Sequence, residues 1–328
     1  MRAQELPSRV RAFFQLEGPA DFLGGAGGFS GACFWKLQQG DECWGIRRWP
    51  REHPTVSRLK WIHAVLKHSR GKGFPWLPEM RTSSAGESFI QDSDFLWECS
   101  YWMPGTAALG EDPSFERIAT AMEALAKFHQ SVEEFLPDQG RQSVPAVENR
   151  QVFFKQLATN MLDQIQSCLP ASDWPDLNRR ANQFVERFSR LRGELQQRLV
   201  STAVLRARLF PCLRDIRQQH VLFVGEQVSS FIDFGAMRID SVATDIARLL
   251  GSVSRSGEEK WSIGLQAYQV VCPLDDEELE LVDTLELANR VMSGLQWLGW
   301  ILLEGRQFED RQGVISRLDE LLLPGLID

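Results

Sequence analysis

Apolar residues recur along this chain with two different periods, and the change from one to the other falls near residue 103. Residues 3–16 have helical spacing, with Val10, Phe13, Phe14 and Leu16 on the apolar side. A glycine cluster over 24–31 breaks this helix, and two β-like runs follow at 32–37 and 42–49, turning at Gly40-Asp41. Helical spacing returns at 55–68 once Pro50 and Pro54 have closed the strand, and 71–78 is a loop. Phe89-Ile90 and 95–102 again have strand character. Beyond Met103-Pro104-Gly105 the period is helical almost throughout, at 119–132, in two or three helices over 149–208, and at 240–255, 257–271, 277–305 and 314–323. The exception is a short hairpin, 221–224 and 228–232, with Gly225-Glu226 at its turn. The pattern predicts an α+β chain with a small β-rich lobe over 1–103 and a larger helical lobe over 104–328.

The length, 328 residues, suits two domains that each have a core. With 43% hydrophobic and 24% charged residues and a formal net charge of −8, nothing draws the whole chain toward nucleic acid or an anionic membrane. Six cysteines (33, 43, 99, 168, 212 and 272) have no CxxC pair or framework spacing, so reduced and mostly buried thiols are expected. Charges over 1–11 stand where a signal peptide needs its apolar segment, and the longest apolar run, 291–303, is short for a bilayer. A cytoplasmic protein with no membrane span is expected. Arginines 179, 180, 187, 190, 192, 198, 206 and 208 read as a solvated helix face rather than a nucleic-acid surface. Trp297 and Trp300 stand at helical spacing and read as core, although tryptophans can also box a quaternary amine.

Two aspartates bring chemistry into this pattern. Asp215 precedes the hairpin at 221–232, and Asp233 follows it, in Asp233-Phe234-Gly235, eighteen residues on. A carboxylate on a loop can accept the proton of a hydroxyl, and a second one in an Asp-Phe-Gly turn can hold a magnesium ion against phosphates. As isolated residues both read equally well as turn aspartates bonding to backbone; their spacing around a hairpin favours phosphoryl transfer.

At Arg214-Asp215-Ile216-Arg217-Gln218-Gln219-His220-Val221-Leu222, Ile232-Asp233-Phe234-Gly235 and Asp245-Ile246-Ala247-Arg248-Leu249, the chain resembles the aminoglycoside phosphotransferase and homoserine kinase-like family, with Ala124-Leu125-Ala126-Lys127-Phe128-His129 matching a helix of its larger lobe. The resemblance implies a protein-kinase-like fold with nucleotide in the cleft between lobes. It implies an ATP-dependent transfer to a hydroxyl of a small molecule. Asp215 would be the base, Arg217 a cation near the transferred phosphate and Asp233 the metal ligand. His220 stands where the family has an asparagine metal ligand, which leaves open a single metal at Asp233, a preference for manganese over magnesium, or nucleotide binding without turnover. Gly27, Gly28 and Ser30 would cover the phosphates and Arg47 would take the place of the strand lysine. The backbone of Glu98, Cys99, Ser100 and Tyr101 would meet the adenine. The helix at 55–68 has no acid to orient Arg47, so Glu52 or Glu79 does so or the pairing is absent. The alternative reading is a catalytically degenerate kinase-like protein that binds a nucleotide, a metabolite or a protein partner.

Overall fold

The computed structural model describes residues 5–25, 29–110, 112–169, 173–253, 257–308 and 310–322, so Gly27 and Gly28 lie outside the described residues. The chain divides into two compact units, Met1–Thr106 with His220–Gly235, and Ala107–Gln219 with Ala236–Asp328. By packing, the hairpin that carries Asp233 thus goes with the β-rich unit and not with the helices that flank it in sequence.

In the first unit an antiparallel sheet runs in the order β1-β2-β3-β5-β4. Its strands are β1 (Ala20–Gly24), β2 (Cys33–Gln39), β3 (Glu42–Arg48), β4 (Phe89–Asp92) and β5 (Phe95–Tyr101). Alternation puts Trp35, Leu37, Ile46, Trp97 and Cys99 on one face, where they pack with Val10 and Phe14 of α1 (Ser8–Phe14). Trp35 and Trp97 lie 5.2 Å apart, centroid to centroid. Helix α2 (Val56–Gly71) starts at Thr55, whose hydroxyl accepts from the Arg58 N–H, and buries Leu59, Ile62, Val65 and Leu66. The hairpin of β8 (Val221–Val224) and β9 (Gln227–Phe231) has the predicted Gly225-Glu226 turn. Strand β1 was not predicted. Its middle residues are exposed, so it has no alternating apolar face to read.

The second unit follows β6 (Thr106–Ala107) and is helical, with α3 (Phe115–Val132), α4 (Pro145–Gln156), α5 (Leu162–Cys168), α6 (Pro175–Thr202), α7 (Ala243–Val253), α8 (Glu258–Val271), α9 (Asp276–Leu298) and α10 (Arg311–Leu322). Helix α9 packs on α6 and α7, and α3 packs on α8. Between α6 and α7 a two-stranded ladder of β7 (Phe210–Cys212) and β10 (Arg238–Asp240) pairs Cys212 with Arg238 and Phe210 with Asp240. These three-residue strands are too short for a period to register, and 240–242 precede the helix predicted to start at 240. The basic helix is also only partly a solvated face. Arg180 pairs with Asp319 at 2.6 Å, and Arg187 donates to the carbonyls of Leu321 and Leu322, so two buried arginines of α6 hold α10. Of the cysteines, Cys99 and Cys212 are buried, the others are half-buried, and all are free thiols. Among the described residues no helix is long and apolar enough to cross a membrane.

Helices α6 and α9 approach closely at Gly294, where an added Cβ would sit 2.1 Å from the ring of Phe184, itself fully buried. Gly294→Ala should lower the unfolding free energy by about 2–3 kcal/mol through overpacking. Denaturant unfolding followed by circular dichroism measures this, and a change within about 0.5 kcal/mol would mean that the two helices separate at little cost.

Candidate functional site

In the first unit the chemistry gathers on β3 and on the turn after β9. Arg47 is buried, and its guanidinium stacks over the Trp49 ring, 3.4 Å from its centroid, with Phe34 at 5.1 Å. Both terminal nitrogens donate to Asp233 Oδ1, at 3.2 and 3.3 Å. Asp233, not Glu52 or Glu79, orients Arg47. Glu79 pairs with Arg70 instead, at 3.6 Å. The other carboxylate oxygen of Asp233 faces His220 Nε2 at 3.9 Å. Asp233 therefore lies between a guanidinium and an imidazole, with its side chain 41% exposed. The third residue of the Asp-Phe-Gly turn has a local reason: a Cβ on Gly235 would meet the Trp49 ring at 2.9 Å. The ring that carries Arg47 also fixes this glycine.

The glycine cluster lies in sequence between β1 and β2, an antiparallel pair that runs from Ala20 opposite Leu37 to Gly24 opposite Phe34 with a register shift between Phe22 and Gly24. Ser30 Oγ accepts from the Ala32 N–H at 3.4 Å. In β5, Cys99 accepts from the Arg81 N–H and Tyr101 donates to the Glu79 carbonyl, each at 2.8 Å, while the opposite edge pairs with β3. Glu98 and Ser100 are likewise paired, with Arg47 and Phe89 and with Gly45 and Met80. Pairing thus occupies both edges of the strand over 98–100, while Tyr101 is bonded through its N–H. Met103, the first residue past the paired stretch, has no backbone partner among the described residues.

The Glu98 side chain turns to His63 Nε2 at 2.9 Å, and His63 Nδ1 meets Ser88 Oγ at 2.7 Å. Burial alone pushes the Glu98 carboxyl up. The hydrogen bond and charge of His63, the Arg47 guanidinium and Trp49 outweigh it and hold the carboxyl below its ordinary value of 4.5.

In the second unit Asp215 and Arg217 lie on the loop after β7. The loop is held by Asp245, a fully buried carboxylate at the start of α7. Asp245 accepts from the N–H groups of Leu213 at 2.6 Å and Arg214 at 2.5 Å, and from His129 Nε2 at 3.1 Å, with Tyr268 O–H on the far nitrogen of His129 at 2.7 Å. His129, Cys212 and Asp245 have ligand atoms within 4.8 Å of one another, but these bonds, and one from Cys212 to the Asp240 carbonyl, occupy them as a structural network. Asp215 Oδ1 lies 2.7 Å from Arg248 and 3.8 Å from Arg217 Nε. Arg248, three residues after Asp245 on one face of α7, stood in a segment already singled out and was given no role; the spacing Asp-x-x-Arg on a helix beneath the loop is the signal that finds it. Asp215 and Arg217 belong to the second unit, and Arg47, His220 and Asp233 to the first.

A five-stranded antiparallel sheet with a glycine-bearing hairpin, a loop aspartate fixed from below by a buried helix aspartate, and an Asp-Phe-Gly turn together define a protein-kinase-like α+β fold. A sequence model described as "Phosphotransferase enzyme family" matches residues 24–280, and the chain belongs to that family. Solved structures of similar fold include a spectinomycin phosphotransferase in complex with ADP and spectinomycin (11% identity over 95% of this chain and 92% of that one, TM-score 0.67). Others are an amicoumacin kinase in complex with AMP-PNP and Ca2+ (13%, 96% and 91%, 0.62) and an aminoglycoside phosphotransferase from Alicyclobacillus acidocaldarius (16%, 98% and 98%, 0.56). At these identities the likeness is one of fold. No curated protein matches the chain.

A carboxyl held low contributes stability above its unfolded value, and that contribution is lost as pH falls through the folded value. Stability should therefore decline below pH about 4.5, and Glu98→Gln should flatten part of that decline while lowering stability at neutral pH. Urea midpoints measured from pH 3 to 7, roughly, test it; parallel pH curves for the two proteins would remove Glu98 from the account.

Proposed function

We propose that this protein transfers a phosphoryl group from ATP to a hydroxyl of a small molecule. The observation that carries the reading is Asp215 on a loop whose backbone is clamped by Asp245, in a chain that also presents Asp233 in an Asp-Phe-Gly turn. Asp215 orients the acceptor hydroxyl and takes its proton, and a preset backbone keeps the carboxylate aimed without reorganisation. Arg217 places positive charge near the group in transfer. Gly27, Gly28 and Ser30 cover the phosphates through backbone and hydroxyl donors, and Arg47 contributes a forked contact. The backbone at the end of β5, the Tyr101 carbonyl with Met103, meets the adenine edge. ADP in the spectinomycin phosphotransferase, and AMP-PNP with Ca2+ in the amicoumacin kinase, support a nucleotide and a divalent ion here.

The donor set at Asp233 fits a metal ion. Its half-exposed carboxylate offers hard oxygen, and His220 adds a nitrogen that suits manganese better than magnesium. When bound there, a divalent ion neutralises phosphate charge. Arg47 already shares the Asp233 carboxylate, which favours a second reading, nucleotide binding without turnover.

ATP and ADP should raise the melting temperature, more with manganese than with magnesium. Asp215→Ala should reduce transfer by about 10^2–10^4-fold with ATP affinity within twofold of the parent's. In the same assay His220→Asn should raise magnesium-supported turnover. Stabilisation by nucleotide with no transfer to any hydroxyl would select the second reading, and no stabilisation by nucleotide under any metal condition would remove both.

A further inference from the structure

Arginines surround Asp215 in excess of what the loop needs. Six guanidiniums, from four elements of the second unit and the loop after β7, lie close enough to act on one another's charge. Arg150 is on α4, Arg214 and Arg217 are on the loop, Arg238 is on β10, Arg248 on α7 and Arg317 on α10. Arg214 pairs with Asp240 at 2.9 Å and Arg317 with Glu320 at 2.5 Å, while Arg217 and Arg248 both lie against the carboxylate of Asp215. Asp245 is buried beneath them and committed to the loop N–H groups. Among the pairs described, six arginines thus meet four carboxylates.

Arg150 shows where the imbalance lies. Its hydrogen bond goes to the neutral amide oxygen of Asn289 at 2.7 Å, and no carboxylate pairs with it. Burial first, then the neighbouring Arg214 and Arg248, bring its guanidinium down to about 10 against the more distant pull of Asp240, so holding it charged costs the folded chain stability. Arg317 is brought down to about 9 by burial and by Arg248 and Arg217, even beside Glu320. A glutamine or leucine at position 150 would avoid that cost. A partly buried cation with no carboxylate in hydrogen-bonding reach, next to a carboxylate flanked by two arginines, is completed by an anion from outside, because guanidiniums bind carboxylate and phosphate through paired N–H donors.

We propose that Arg150, Arg214 and Arg248 form a binding site for an anionic group beside Asp215, and that the hydroxyl compound this protein phosphorylates is itself an anion, a hydroxy acid or a phosphate monoester. The second half rests on the phosphotransferase reading above, and the first half does not. Bound there, the anionic group takes over Arg248 and releases Asp215 toward the acceptor hydroxyl, so the acceptor's own charge frees the base that acts on it. A cationic acceptor meets like charge at the same place and is rejected.

The test uses the full chain. Inorganic phosphate, titrated by calorimetry and thermal shift at constant ionic strength, should bind more tightly than chloride. Arg150→Gln should weaken it at least tenfold, and Arg150→Lys should recover part of the loss. Arg47→Gln should leave it within twofold, which separates this site from the nucleotide phosphates. Should Arg150→Gln fail to fold, Arg238→Gln, at an exposed position on β10 near Arg214, should give a smaller weakening in the same direction. Transfer from ATP is then compared for glycerate, glycerol 3-phosphate, glycerol and ethanolamine, so that carboxylate and phosphate sources are read apart. One of the two anions should exceed glycerol at least tenfold in kcat/KM, and Arg150→Gln should raise its KM more than it lowers kcat. Phosphate binding no tighter than chloride, binding lost in Arg47→Gln but kept in Arg150→Gln, or glycerol or ethanolamine as the best acceptor would each overturn the proposal. Phosphate binding that depends on Arg150 without transfer to any acceptor would sink the phosphotransferase reading and leave the anion site standing.

Discussion

The second unit is organised around a buried carboxylate that must be satisfied. A charge taken out of water costs several kcal/mol unless hydrogen bonds replace its hydration, and Asp245 is fully buried. The loop after β7 supplies that replacement with two adjacent N–H groups, and His129, backed by Tyr268, supplies the rest. Any rearrangement of the loop would strand the charge. The loop is therefore held in one conformation at Arg214, whose φ of 66° an L-residue rarely adopts. Asp215 inherits its position from this arrangement: the carboxylate below sets the backbone, and the backbone sets the carboxylate above.

A different balance operates in the first unit. Asp233 meets two side chains, with Arg47 donating to one oxygen and His220 near the other. The arginine is in turn held flat by Trp49. In the function proposed above, a metal ion at Asp233 would compete with the guanidinium that Trp49 holds, and ion affinity would be linked to the position of Arg47.

Local pattern made much of this legible in the sequence. The strands with one buried face, the helix at 55–68 and the hairpin before Asp233 follow from period and turn chemistry, because each buries its own apolar side. Strand β1 escaped because an edge strand with exposed residues carries no period, and β7 and β10 because three residues cannot show one. The candidate site was legible as residue types and not as pairings. Arg47 and Asp233 are 186 positions apart, so no window of sequence reveals that one orients the other. Arg180 and Arg187 read as a solvated face because charge was visible and the carboxylate and carbonyls of α10 that receive it were not. For 98–100, side chains could not show that both edges of the strand are occupied.

The backbone at Asp233 has a φ of 64°, in the left-handed region. Aspartate, asparagine and glycine tolerate that geometry, and bulkier or branched residues strain it. Of the three, only aspartate carries a charge. Asparagine or glycine at this turn would therefore keep the backbone and lose the charge, while bulkier residues would strain it. The aspartate is the one member of that narrow set that places a carboxylate against Arg47.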